Sequence, residues 1–150
     1  MINGRGGWRN SVWLIALLWL GPVGAVEREL RIEAPASVVA GQSFTAVITA
    51  RTDAGQGEQV GFLHAEWSVD GGKTWKPIFY LERAGPRVTQ PASLTPGSAG
   101  STVKLRVRAA FRDGLAGDVD YNGAALRWHE SWAEWREPAA RHASLVVTAR

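Results

Sequence analysis

The sequence predicts an all-β chain folded as a sandwich of two antiparallel sheets, and three observations carry that prediction. Apolar and polar residues alternate with a period of two, most clearly at residues 103–111 (VKLRVRAAF), where Val103, Leu105, Val107, Ala109 and Phe111 share one face and Lys104, Arg106 and Arg108 the other. Clusters of Gly, Pro, Asp and Ser separate the alternating runs at short intervals. No long helical period competes, since a 3.6-residue repeat over residues 103–111 would mix Arg with Leu on every face.

The elements follow in order. Leu30 and Ile32 alternate with Arg31 and Glu33, and Ala34-Pro35 breaks that strand before a short continuation at Val38-Val39. Residues 44–52 (FTAVITART) are rich in β-branched side chains and place Phe44, Ala46 and Ile48 together. Residues 53–57 (DAGQG) read as a loop. The next strand is expected at residues 64–69, with Ala65, Trp67 and Val69 facing the core and Trp67 buried between the sheets; residues 75–82 return as its hairpin partner. A Pro/Gly/Ser-rich stretch, residues 86–101, has room for one short edge strand near Val88 or Leu94. Residues 144–149 (SLVVTA) form the last strand. The Lys104, Arg106 and Arg108 stripe is expected to be the solvated face of its sheet.

Ahead of the domain, residues 1–25 read as a secretory signal peptide. Arg5 and Arg9 supply the positive start, residues 12–20 (VWLIALLWL) the apolar run, and Val23-Gly24-Ala25 the small residues of a cleavage site. Nine apolar residues fall short of the roughly 20 that a spanning helix needs. Residues 26–150 then form one domain, with a periplasmic or extracellular destination and no membrane span after cleavage. Of the 17 Lys and Arg two leave with the signal, so 15 face 14 Asp and Glu, and this balance leaves no electrostatic footprint for nucleic acid. The absence of Cys excludes lipoprotein anchoring, thiol catalysis and thiolate zinc sites.

Two segments resemble known families. Residues 34–44 (APASVVAGQSF) resemble the opening of bacterial immunoglobulin-like domains, in which a strand, a break and an Ala-Gly turn lead into the second strand. Residues 68–75 (SVDGGKTW) are similar to the Asp-box, S-x-D-x-G-x-T-W, at every fixed position. That resemblance implies a structural hairpin turn in which Ser68, Asp70, Gly72 and Trp75 cooperate: Asp70 folds onto backbone N–H groups and Trp75 packs on the hairpin. A single copy implies a turn and no glycosidase activity. Together the two segments imply an Ig-like, fibronectin-type-III-like sandwich.

About thirty residues separate the strand at residues 103–111 from the last one, too many for a plain turn. This insertion is Trp-rich. Its first half carries Asp118, Asp120, Asn122 and Gly123, the D-x-D-x-N-G spacing of a calcium loop. The twelfth position is His129 where an EF-hand needs Glu, so an Asx-rich turn is the preferred reading over a calcium site. Its second half holds Trp128, Trp132 and Trp135 with Glu130, which read either as a satellite core pinning the insertion or as an aromatic platform for sugar rings. His64, His129 and His142 have no metal spacing and read as lone histidines; no catalytic constellation stands out. The expected function is therefore a secreted, non-catalytic Ig-like module for structural or protein-interaction roles, its partner a protein or glycan. A carbohydrate-binding module built on Trp128, Trp132 and Trp135 is the alternative, and no cofactor is expected.

Overall fold

The computed structural model describes residues 24–126 and 140–149. Their regular elements are eight strands: β1 (Arg28–Glu33), β2 (Ser37–Val39), β3 (Phe44–Thr52), β4 (Gln59–Ser68), β5 (Lys76–Glu82), β6 (Arg87–Leu94), β7 (Thr102–Arg112) and β8 (Ala140–Thr148). They form a three-stranded sheet, order β1-β3-β6, and a five-stranded sheet, order β2-β8-β7-β4-β5. All pairings are antiparallel except β2 with β8. The sandwich predicted from the alternating runs is therefore what forms.

The core is the inward face of each sheet. From β7 it takes Val103, Leu105, Val107, Ala109 and Phe111, all fully buried; from β3 Ala46, Ile48 and Ala50; from β4 Val60, Leu63 and Ala65; from β8 Leu145 and Val147. The Ala34-Pro35 break does more than end β1. It carries the chain from one sheet to the other, because β1 pairs with β3 while β2 lies parallel to β8. Both Val88 and Leu94 belong to β6, an edge strand that tolerates Pro91 because its outer side has no ladder to donate to.

Three expectations shift. The third main strand begins at Gln59, five residues before its expected start, and Val69 lies past its end. The run Val60, Gly61, Phe62 and Leu63 is buried on both faces and shows no alternation to read. A bulge between Val60 and Phe62 resets the register so that Val60 and Leu63 both face the core. Gly61 is required there, because a Cβ would collide with the Arg112 side chain from its Cβ outward. Trp67 is half-buried against the core, near the rim, and does not lie enclosed between the sheets. The last strand starts at Ala140, four residues early, since its first half is fixed by pairing with Arg106, Val107 and Arg108 on β7.

An ion pair ties the loops at one end of the sandwich to the strands. Arg28 at the start of β1 reaches Glu58 just before β4, with Nη2 to Oε2 at 2.6 Å, and the Glu58 side chain is 1 % exposed. Burial raises the Glu58 pKa, yet the hydrogen bonds from Arg28 and Thr52 outweigh it and hold the carboxyl below its ordinary value. Gly114 lies against Glu58 so closely that a Cβ would come within 2.7 Å of it.

Truncation of the β7 core is expected to be costly. Leu105→Ala should lower the unfolding free energy by roughly 2–5 kcal/mol, read as a drop in urea midpoint at unchanged slope.

Candidate functional site

The outward side of β7 is the part of the fold where chemistry-bearing groups converge. Arg106 and Arg108 stand there, two residues apart. The ladder sets Glu66 opposite Arg106 and His64 opposite Arg108 on β4, and Tyr80 opposite His64 on β5. Strand alternation thus makes two rows: Arg108, His64 and Tyr80 in one, Arg106 and Glu66 in the next.

The contacts are specific. Arg106 Nε donates to Glu66 Oε2 at 2.8 Å, and its guanidinium carbon lies 4.0 Å from the centroid of the Trp75 ring. His64 Nδ1 is 3.3 Å from Arg108 Nη2, and His64 Nε2 is 3.7 Å from Glu66 Oε1. The imidazole meets the Tyr80 ring edge-on at 5.5 Å, and Phe62 stacks on Tyr80 at the same separation. Arg108 also lies over Phe62, 5.7 Å from its centroid. Burial, then the charge of Arg108, pull the His64 pKa below its ordinary value against the opposing effect of Glu66. The neutral form of the ring is thereby favoured.

This arrangement corrects two expectations. The Arg stripe is not a solvated face: the Arg106 side chain is 20 % exposed, and Arg108 is half-buried. Its neighbours on β4 and β5 supply a carboxylate and aromatic rings that cover it. His64 is not a lone histidine but the centre of the cluster. The available signal was the alternation His64, Glu66, Ser68, which puts a histidine and a carboxylate on one outward face; which strand faces them is not written locally. His142 pairs with Arg106 in the ladder from the other side, on β8, and is exposed.

The hairpin turn between β4 and β5 is built around Asp70. Its Oδ1 accepts the N–H groups of Lys73 and Thr74 at 3.0 and 2.9 Å, and its Oδ2 accepts the Thr74 hydroxyl at 2.6 Å. Ser68 donates to Asp70 Oδ1 and accepts the N–H of Gly72. Gly71 and Gly72 take positive φ, 75° and 96°. Trp75 lies beside Gly72 and under Arg106, so the turn delivers one wall of the cluster.

In the second predicted loop the two carboxylates make separate contacts. Asp120 turns its Oδ1 onto the N–H groups of Asn122 and Ala124 at 2.8 and 3.0 Å, while Asp118 pairs with Arg112 at 3.2 Å. Among the described residues no three His, Asp or Glu side chains converge as metal ligands. Trp128, Glu130, Trp132 and Trp135 lie outside the described residues, as do His129 and residues 1–23.

No family model and no curated protein matches the sequence. Among solved structures the chain is similar to a superoxide reductase (neelaredoxin) from Ignicoccus hospitalis, at 12 % identity over 84 % of each chain with a TM-score of 0.41. This overturns the expectation of a non-catalytic module with structural, protein-interaction or sugar-binding roles. At that distance the match transfers no activity to this chain.

The Asp70 turn should be acid-sensitive. Hydrogen bonds from Ser68, then Thr74, hold its carboxyl well below the usual carboxylate range. Its contribution is fully present above the unfolded pKa of about 4 and is lost as pH falls through the depressed folded value. Asp70→Ala should melt at a lower temperature than the parent at neutral pH, and the gap should narrow on acidification below about pH 4. A gap that stays constant to the lowest pH would contradict this assignment.

Proposed function

We propose that the protein works through the outer face of its five-stranded sheet, binding a small molecule that carries a carboxylate or another oxyanion. The observation that carries this reading is the pair of registered rows, Arg108, His64 and Tyr80 beside Arg106 and Glu66. Guanidinium groups recognise planar anions through paired N–H donors. Trp75, Phe62 and Tyr80 supply an aromatic surface around them, which lowers the local polarity and strengthens the attraction. Glu66 fixes the direction of Arg106. His64 lies beside Arg108, so a proton taken up by its imidazole would add a further cation to the face.

The test uses phosphate, sulfate and succinate as probes, with calorimetry and thermal melting as readouts. Arg108→Gln should weaken the best-bound probe by roughly tenfold to a hundredfold, the range for a charge-assisted hydrogen bond, with the near-ultraviolet dichroism unchanged. Affinity should rise as pH falls through the lowered His64 pKa, because protonation adds a cation to the face. An Arg108→Gln protein that binds as the parent does, or a parent that binds none of the three, overturns the reading.

The sandwich is further proposed to be Ig-like and its β4–β5 turn an Asp-box. The split of the first strand between the two sheets and the order β2-β8-β7-β4-β5 support the first, and the Asp70 hydrogen bonds support the second. Export is proposed from the apolar run at residues 12–20; among the described residues no helix is long and apolar enough to cross a membrane. N-terminal sequencing of the protein recovered outside the cytoplasm should begin at Val26, and recovery of the uncut chain in the membrane fraction would refute cleavage.

A further inference from the structure

The turn at residues 120–124 holds a chemical feature that the anion-binding face does not use. Asn122 is followed by Gly123, and both are exposed. A glycine amide has no Cβ beside it to block approach to the preceding side chain. In this turn, however, the Gly123 nitrogen is occupied. Its N–H donates to the Asp120 carbonyl at 3.0 Å, and the residue sits at φ 82°. Asp120, 3 % exposed, clamps the rest: its Oδ1 accepts from Asn122 and Ala124, and its own N–H donates to the Ala124 carbonyl at 2.9 Å.

We propose that Asn122 is a site of spontaneous deamidation and that Asp120 sets its rate by holding the turn closed. The Gly123 nitrogen attacks Cγ of Asn122 and loses its proton to solvent. The Cγ–Nδ2 bond breaks, ammonia leaves with the proton it needs, and a five-membered succinimide remains. Water then opens either carbonyl, giving aspartate or isoaspartate with no change in oxidation state. Attack requires the nitrogen to leave its hydrogen bond with the Asp120 backbone carbonyl, and the Asp120 carboxylate, by holding the N–H groups of Asn122 and Ala124, keeps the turn in the shape that makes that bond. The product matters to the fold because Gly123 lies against Arg28, with a Cβ there only 3.2 Å from Nη1, and Arg28 is the partner of the buried Glu58. A new carboxylate arises one residue from that guanidinium, and isoaspartate adds a backbone atom to a turn that closes over few residues.

The experiment incubates the purified full chain in mildly alkaline buffer and follows residue 122 by peptide mass mapping with isoaspartate detection. The folded parent should react about tenfold more slowly than the same chain in urea, the factor that one or two hydrogen bonds imply. Asp120→Ala should approach the urea rate while its near-ultraviolet dichroism stays native. Asp120→Asn, which keeps an acceptor oxygen for the same N–H groups, should stay near the parent. If Asp120→Ala fails to fold, the comparison of folded and urea-treated parent with Asp120→Asn still decides. Equal rates in folded and unfolded parent, a native Asp120→Ala with the parent's rate, or no reaction at Asn122 in urea overturns the proposal.

Discussion

The strict alternation of β7 governs both the core and the outer face built around it. Five consecutive inward positions, Val103 to Phe111, are fully buried and form the middle of the core. The same period sends Lys104, Arg106 and Arg108 outward. A slip of one residue would put guanidinium groups between the sheets and apolar side chains in water, so the register is strongly specified. The core that holds the sandwich together and the cationic face proposed to bind a ligand are two sides of one strand.

The neighbours of β7 gather a stripe of charge into a cluster. On β4 the bulge at Gly61 lets Val60 and Leu63 both serve the core, and it leaves Phe62, His64 and Glu66 on the outer face opposite Ala110, Arg108 and Arg106. Without that extra residue the inward and outward sets of one half of β4 would be exchanged. The hairpin held by Asp70 then places Trp75 beneath Arg106. Stability and site geometry are coupled here: the hydrogen bonds that close the turn also aim the ring that the cation rests on.

At the end of the sandwich near Gly114 and Gly123 a different interaction organises the loops. Arg28 and Glu58 form a buried pair, and such pairs are costly to bury unless their remaining polar atoms are satisfied. Thr52 donates to Glu58 Oε1, while Gly114 and Gly123 allow close approach to Glu58 and Arg28. Four separate stretches of sequence therefore meet at one ion pair. The first sheet is laced on its outer face by a more exposed set, Arg51 with Glu29 and Arg31 with Glu33, which contributes little by comparison.

The class of fold, most of the strands and the inward face of β7 were legible in the sequence, because a period of two is a local property of any half-buried strand. The sequence also located the Asp70 turn, whose donors and acceptor lie within eight residues of one another. It missed the first half of β4, which is buried on both faces and so does not alternate, and the first half of β8, which is a strand only because β7 is beside it. The cluster of His64, Glu66, Arg106, Arg108 and Tyr80 is a product of strand pairing. Residues some forty positions apart meet there through the pairing of three strands and a bulge, and no local pattern records which strand will lie beside which.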